Sequence, residues 1–158
     1  MSAEGTIVAA DGMPVRPLAS GEAGLMGAAI GYLAPGARYA VHFHGALEQL
    51  TFVIAGTVDV MMLLPGAVQP TITRLTRGEA LTNPPLATLD FANPGPEAAE
   101  VLFVCAPPFP IDGSDVALAE THRPLTAAEW DGAADRASWA MGVFRQKIAA
   151  RLAIRPRG

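Results

Sequence analysis

The sequence predicts an all-β barrel of the jelly-roll kind, followed by an α-helical segment at the carboxy terminus. Three observations carry that prediction. Between about residues 24 and 106, short apolar runs alternate with Gly- and Pro-containing breaks: Ala34-Pro-Gly, Ala55-Gly, Pro65-Gly, Arg77-Gly-Glu, Asn83-Pro-Pro and Asn93-Pro-Gly-Pro. The runs are rich in Val, Ile, Thr and Phe, which suit a pleated, half-buried surface. The pattern changes only after Pro107-Pro108.

The runs place strands near 25–33, 38–44, 49–55, 57–64, 69–75, 79–82, 87–92 and 99–106, a number that suits a jelly roll. Residues 1–23 read as an amino-terminal extension, 24–106 as the barrel, 107–125 as a loop and 126–158 as the helical segment. The helix start is marked by a capping box, Thr126 with Glu129 three residues on, and by Leu125 and Trp130 at the spacing of a hydrophobic staple. Trp130, Ala134, Ala137, Met141, Phe144, Ile148 and Leu152 then follow a three-four spacing, which predicts a face buried against the barrel or a partner subunit. Gly132 and Gly142 weaken this helix and are places where it could break in two.

At 158 residues the chain fits one domain, and 51% hydrophobic against 16% charged residues implies a large core or a buried subunit interface. A homodimer is the expected assembly. The net charge is -4, and Lys and Arg gather only in the tail from Arg145 to Arg157, which argues against nucleic acid or an anionic membrane as partner. The single cysteine, Cys105, lies in an apolar run and reads as a small buried hydrophobe. No basic region followed by an apolar one opens the chain, so the cytoplasm is the expected location. The most apolar span, Leu50 to Leu64, is broken by Gly56 and Asp59 and reads as two strands, not a membrane helix. Gly21, Gly24 and Gly27 lack the spacing of a dinucleotide loop, and neither a phosphate loop nor a Gly-x-Ser-x-Gly elbow is present. Asp112, Asp115 and Glu120 read as solvated loop acids, and His122 as a structural histidine before the helix.

Chemistry concentrates in one stretch: Gly36, five residues, His42-Phe43-His44, then Gln49, six residues and Gly56. Residues i and i+2 of a strand point to the same face, so both imidazoles can converge on one point, an arrangement that invites a divalent metal. A third polar side chain, Gln49 or Glu48, would complete three protein ligands.

The stretch resembles the first motif of the cupin superfamily, in which Gly, His-x-His, Glu and Gly stand at these spacings. The resemblance covers roughly residues 30 to 106. Gln49 satisfies the spacing on both sides and Glu48 only that from His44, so Gln49 is the favoured third ligand. Glu48, if it faces inward, is the candidate general base. In the second cupin motif Gly78, Pro84 and Asn93 keep register, but Leu86 stands where Gly is usual and Leu89 where the fourth ligand, His, is usual. The resemblance implies a double-stranded β-helix holding Fe, Mn, Ni or Zn on His42, His44 and Gln49, or a barrel that has lost its metal.

Strand parity puts Arg38 and Ala40 on the face of the histidines, where Arg38 could bind a substrate carboxylate. Thr51, Val53, Ala87, Leu89 and Phe91 are the inward-facing partners, giving a mostly apolar pocket for a small, partly apolar organic molecule. The expected function is a metal-dependent cupin enzyme, a dioxygenase, isomerase, lyase or decarboxylase, among which the fold does not choose. The alternative is a non-enzymatic cupin that binds an apolar small molecule.

Overall fold

A computed structural model describes residues 5–19, 25–109 and 115–153. Among these residues eleven strands form two antiparallel sheets. In chain order they are β1 (Ile7–Val8), β2 (Pro14–Ala19), β3 (Gly27–Leu33), β4 (His42–His44), β5 (Glu48–Ala55), β6 (Thr57–Leu63), β7 (Thr71–Thr76), β8 (Ala80–Asn83), β9 (Thr88–Ala92), β10 (Ala99–Ala106) and β11 (Val116–Leu118). One sheet has the order β1-β2-β3-β10-β5-β8, the other β11-β4-β9-β6-β7. The architecture is the cupin double-stranded β-helix.

Alternation decides which residues enter the core. In β10, Ala99, Val101, Phe103 and Cys105 are buried, while Glu100, Leu102 and Val104 between them are only partly covered. Leu33, Val53, Val101 and Phe103 of the first sheet meet Val58, Val60, Leu75, Leu89 and Phe91 of the second in one apolar cluster. At the tight turn between β5 and β6, Gly56 has φ +78°, and a Cβ there would lie 2.8 Å from Cα of Ala99. Leu86 has φ +69°, so the backbone keeps the left-handed bend that glycine usually makes in the second motif, although the residue has changed.

The structure departs from the sequence reading at both ends of the barrel. β1 and β2 carry the first sheet back to Ile7, well before residue 24. Two prolines hide β2, and both stand where a strand tolerates them: Pro14 is its first residue and Pro17 borders a register shift. The expected strand 38–44 is a strand only over His42–His44, with Arg38 joined to Ala92 by an isolated bridge. Within the expected loop, β11 pairs with β4.

The helix α1 (Ala127–Ala153) is continuous through Gly132 and Gly142. Its capping box forms as read: Glu129 accepts from the Thr126 amide at 2.7 Å, and the Glu129 amide donates to the Thr126 hydroxyl at 3.3 Å. The buried face differs from the expected one. Ala133 and Ala140 are the buried residues, whereas Trp130, Met141, Ile148 and Leu152 of the predicted stripe are exposed, as is Trp139 at 63%. Small side chains at 133 and 140 let the helix backbone approach its support, and the bulky residues are left on the flanks. No helix among the described residues is long and apolar enough to cross a membrane.

Candidate functional site

β4 places His42 and His44 at one end of a cavity of about 320 Å³ between the sheets. Gln49, from the neighbouring end of β5, and Asp11, from the turn before β2, complete the polar end. The walls are apolar: Phe91, Phe103 and Phe109 on one side, Ala28, Ala29 and residues of the Ile7–Val15 segment on the other. The volume is at the lower end of the range for small-molecule sites.

The His42 imidazole is held by its Nδ1 atom. Nδ1 of His42 lies 3.0 Å from the carbonyl oxygen of Ala40. A carbonyl only accepts, so this nitrogen carries the proton and Nε2 is left with its lone pair. Nδ1 of His44 faces the Asp115 carboxylate at 3.5 Å, and Asp11 lies 3.8 Å from Nδ1 of His42. Burial, with His44 beside it, pushes the His42 pKa below the usual histidine value, so its ring is neutral near pH 7.

The donor set fits a divalent ion. The two ring centroids are 5.3 Å apart. The rings stand nearly perpendicular, and two imidazoles with an amide oxygen are donor types that a divalent ion accepts. The third donor is weaker: Oε1 of Gln49 accepts a hydrogen bond from Sγ of Cys105 at 3.5 Å and has a second lone pair to offer. No group of three or more His, Cys, Asp or Glu side chains converges as a ligand set among the described residues, so any metal here rests on two imidazoles and an amide. Burial, with Asp115 adding to it, raises the Cys105 pKa to about 12, so its thiol is protonated near neutral pH.

Glu48 is exposed, on the opposite face of β5 from Gln49, so it does not line the cavity and is not placed to act as its base. Arg38 does not line it either. The irregular backbone over 38–41 breaks the parity that was to aim it inward, and its guanidinium donates to Asp90 at 2.9 Å. Thr51 and Leu89 are buried in the core beside the cavity, and only Phe91 of the expected pocket residues lines it. Leu89 pairs directly across from His42, on the same interior face, so its isobutyl group occupies the place of the usual fourth ligand. Asp115 is buried, not solvated, while Glu120 is exposed and Asp112 lies outside the described residues. Oδ2 of Asp90 accepts from Nε2 of His122 at 3.0 Å as well as from Arg38, so Asp90 ties together Arg38 and the segment before the helix. Asp11 and Phe109 were missed because they lie outside the motif and nothing in their spacing marks them.

No protein-family model and no curated protein matches the chain. Solved structures do. An uncharacterised conserved protein with a double-stranded β-helix domain from Klebsiella pneumoniae is 20% identical, with a TM-score of 0.56 over 77% of this chain and 96% of that one. A cupin 2 conserved barrel domain protein from Salinispora arenicola is 15% identical, with a TM-score of 0.52 over 80% and 86%. The capsular polysaccharide assembling protein CapF of Staphylococcus aureus is 13% identical, with a TM-score of 0.63 over 73% of this chain but only 31% of its own length. The chain therefore shares the cupin double-stranded β-helix fold with these structures.

Proposed function

We propose that the chain is a metal-binding cupin that acts on a small, mainly apolar and uncharged organic molecule. One observation carries the reading: two buried imidazoles, one held through Nδ1 by the Ala40 carbonyl and the other with Nδ1 facing Asp115, line an otherwise mostly apolar cavity. His42 and His44 would hold Fe, Mn, Ni or Zn with Gln49 as the third ligand, and the ion would supply Lewis-acid polarisation of a substrate oxygen. The aromatic walls bind the substrate body and exclude water from the polar end. Asp11 is the carboxylate in the cavity lining and the candidate to take a proton there. Among the described residues that line the cavity none is Lys or Arg, which favours an uncharged ligand over an anion.

The test is elemental analysis of purified protein, followed by reconstitution with each of the four metals. About one equivalent of metal, lost in the His42→Ala/His44→Ala double variant, is the expected result. Absence of bound metal after reconstitution would remove the metal from the proposal. Leu89 at the fourth-ligand position favours the second reading, a non-enzymatic cupin that holds an apolar molecule in the same cavity. Homodimerisation in the cytoplasm is proposed for either reading, and a monomer by light scattering at micromolar concentrations would refute the dimer.

A further inference from the structure

We infer that Asp115 is the positioning residue for His44, accepting the Nδ1–H of its ring so that Nε2 is kept unprotonated for the cavity. The inference rests on His42 and His44 being the working groups of the site. Oδ2 of Asp115 lies 3.5 Å from Nδ1 of His44, both side chains are more than nine-tenths buried, and each of the two atoms is without a hydrogen-bond partner among the described residues. Buried polar atoms are costly to leave unpaired, and these two are complementary, a donor and an acceptor.

The backbone delivers the carboxylate. Val116 pairs with His44 across β11 and β4, and the Gly45 amide donates to the Asp115 carbonyl at 3.1 Å. The side chain has room because residue 45 is glycine. A Cβ there would lie 3.4 Å from Oδ1 of Asp115 and 2.8 Å from Nε of Arg136, which the helix brings against the same spot. His42 obtains the same service from its own main chain, through the Ala40 carbonyl. The two rings are therefore held independently, one by a local carbonyl and the other by a carboxylate beyond the barrel motif. A carboxylate on Nδ1 fixes the tautomer and strengthens Nε2 as a donor.

The test uses the full chain without metal. Long-range ¹H–¹⁵N spectra distinguish Nδ1–H from Nε2–H imidazoles, and at about pH 8 both His42 and His44 are expected as the Nδ1–H form. Asp115→Ala shifts His44 toward Nε2–H and leaves His42 unchanged, so the His42 signal also reports that the fold is intact. In a Co²⁺ titration the same variant binds about 10–100-fold more weakly, while Glu120→Ala, an exposed acid nearby, matches the parent. If the alanine variant does not fold, the isosteric Asp115→Asn is read by its Co²⁺ affinity, with the same weakening expected. A His44 tautomer unaltered in Asp115→Ala overturns the inference, as does unaltered Co²⁺ affinity in the variant examined. If the parent binds no Co²⁺, the metal reading fails and the tautomers alone decide the role of Asp115.

Discussion

Replacing Leu89 by His restores the side chain that the second cupin motif usually carries, and the structure sets the expected size of the effect. Leu89 is fully buried in the apolar cluster and stands directly opposite His42. Exchanging its isobutyl group for an imidazole without metal loses about 1–2 kcal/mol of apolar burial. Burying an unpaired polar ring costs about 1–3 kcal/mol more. The sum, about 3 kcal/mol, lowers the melting temperature by roughly 6–12 °C for a domain of this size. Metal reverses the sign. A fourth ligand that tightens binding tenfold adds about 1.4 kcal/mol. At equal zinc concentration above saturation, the zinc-induced rise in Tm should therefore exceed that of the parent by roughly 3–6 °C. Differential scanning fluorimetry with and without zinc measures both quantities. A variant that loses stability but gains no more from zinc than the parent would refute the convergence of His42, His44 and position 89 on one ion.

Three further outcomes are expected. Gly56→Ala puts a Cβ against Ala99 at a left-handed backbone position and should cost about 1–3 kcal/mol in urea unfolding. The Glu129 carboxyl is held at about 2 by the Arg123 guanidinium and the Thr126 amide, below its ordinary 4.5. A depressed acid stabilises fully above its unfolded value, so this contribution is complete above pH 4.5 and is lost as the pH falls toward 2, which Trp130 fluorescence at the helix start should follow. Cys105, with its pKa raised to about 12, should resist iodoacetamide at pH values near 8 in the native protein and react once unfolded in urea.

The barrel was legible because its signals are local. Gly56 and the alternation of β5 and β10 depend only on neighbours in sequence, and they locate turns and inward faces correctly. What the sequence hid depends on distant contacts. β2 reads as a non-strand because Pro14 and Pro17 lack amides, and only the pairing with β3 makes it one. Arg38 was assigned to the pocket by strand parity, a rule that holds only while the backbone stays extended, and it does not over 38–41. The helix pattern is hydrophobic, yet the residues it buries are the small Ala133 and Ala140. At the site, His42 and His44 announce themselves by spacing, whereas Asp11 and Asp115 reach them from segments with no motif of their own.

The cavity is walled from both ends of the chain: the Ile7–Val15 segment supplies one side, and β11 with Asp115 adjoins the histidines. This fixes an order on the ribosome, where synthesis runs from the amino terminus. The core strands through β10 can pair while the chain is still growing, but the carboxylate beside His44 and the helix that brings Arg136 to Gly45 emerge after them. A nascent barrel thus carries its two imidazoles before the segment that completes their surroundings has been made.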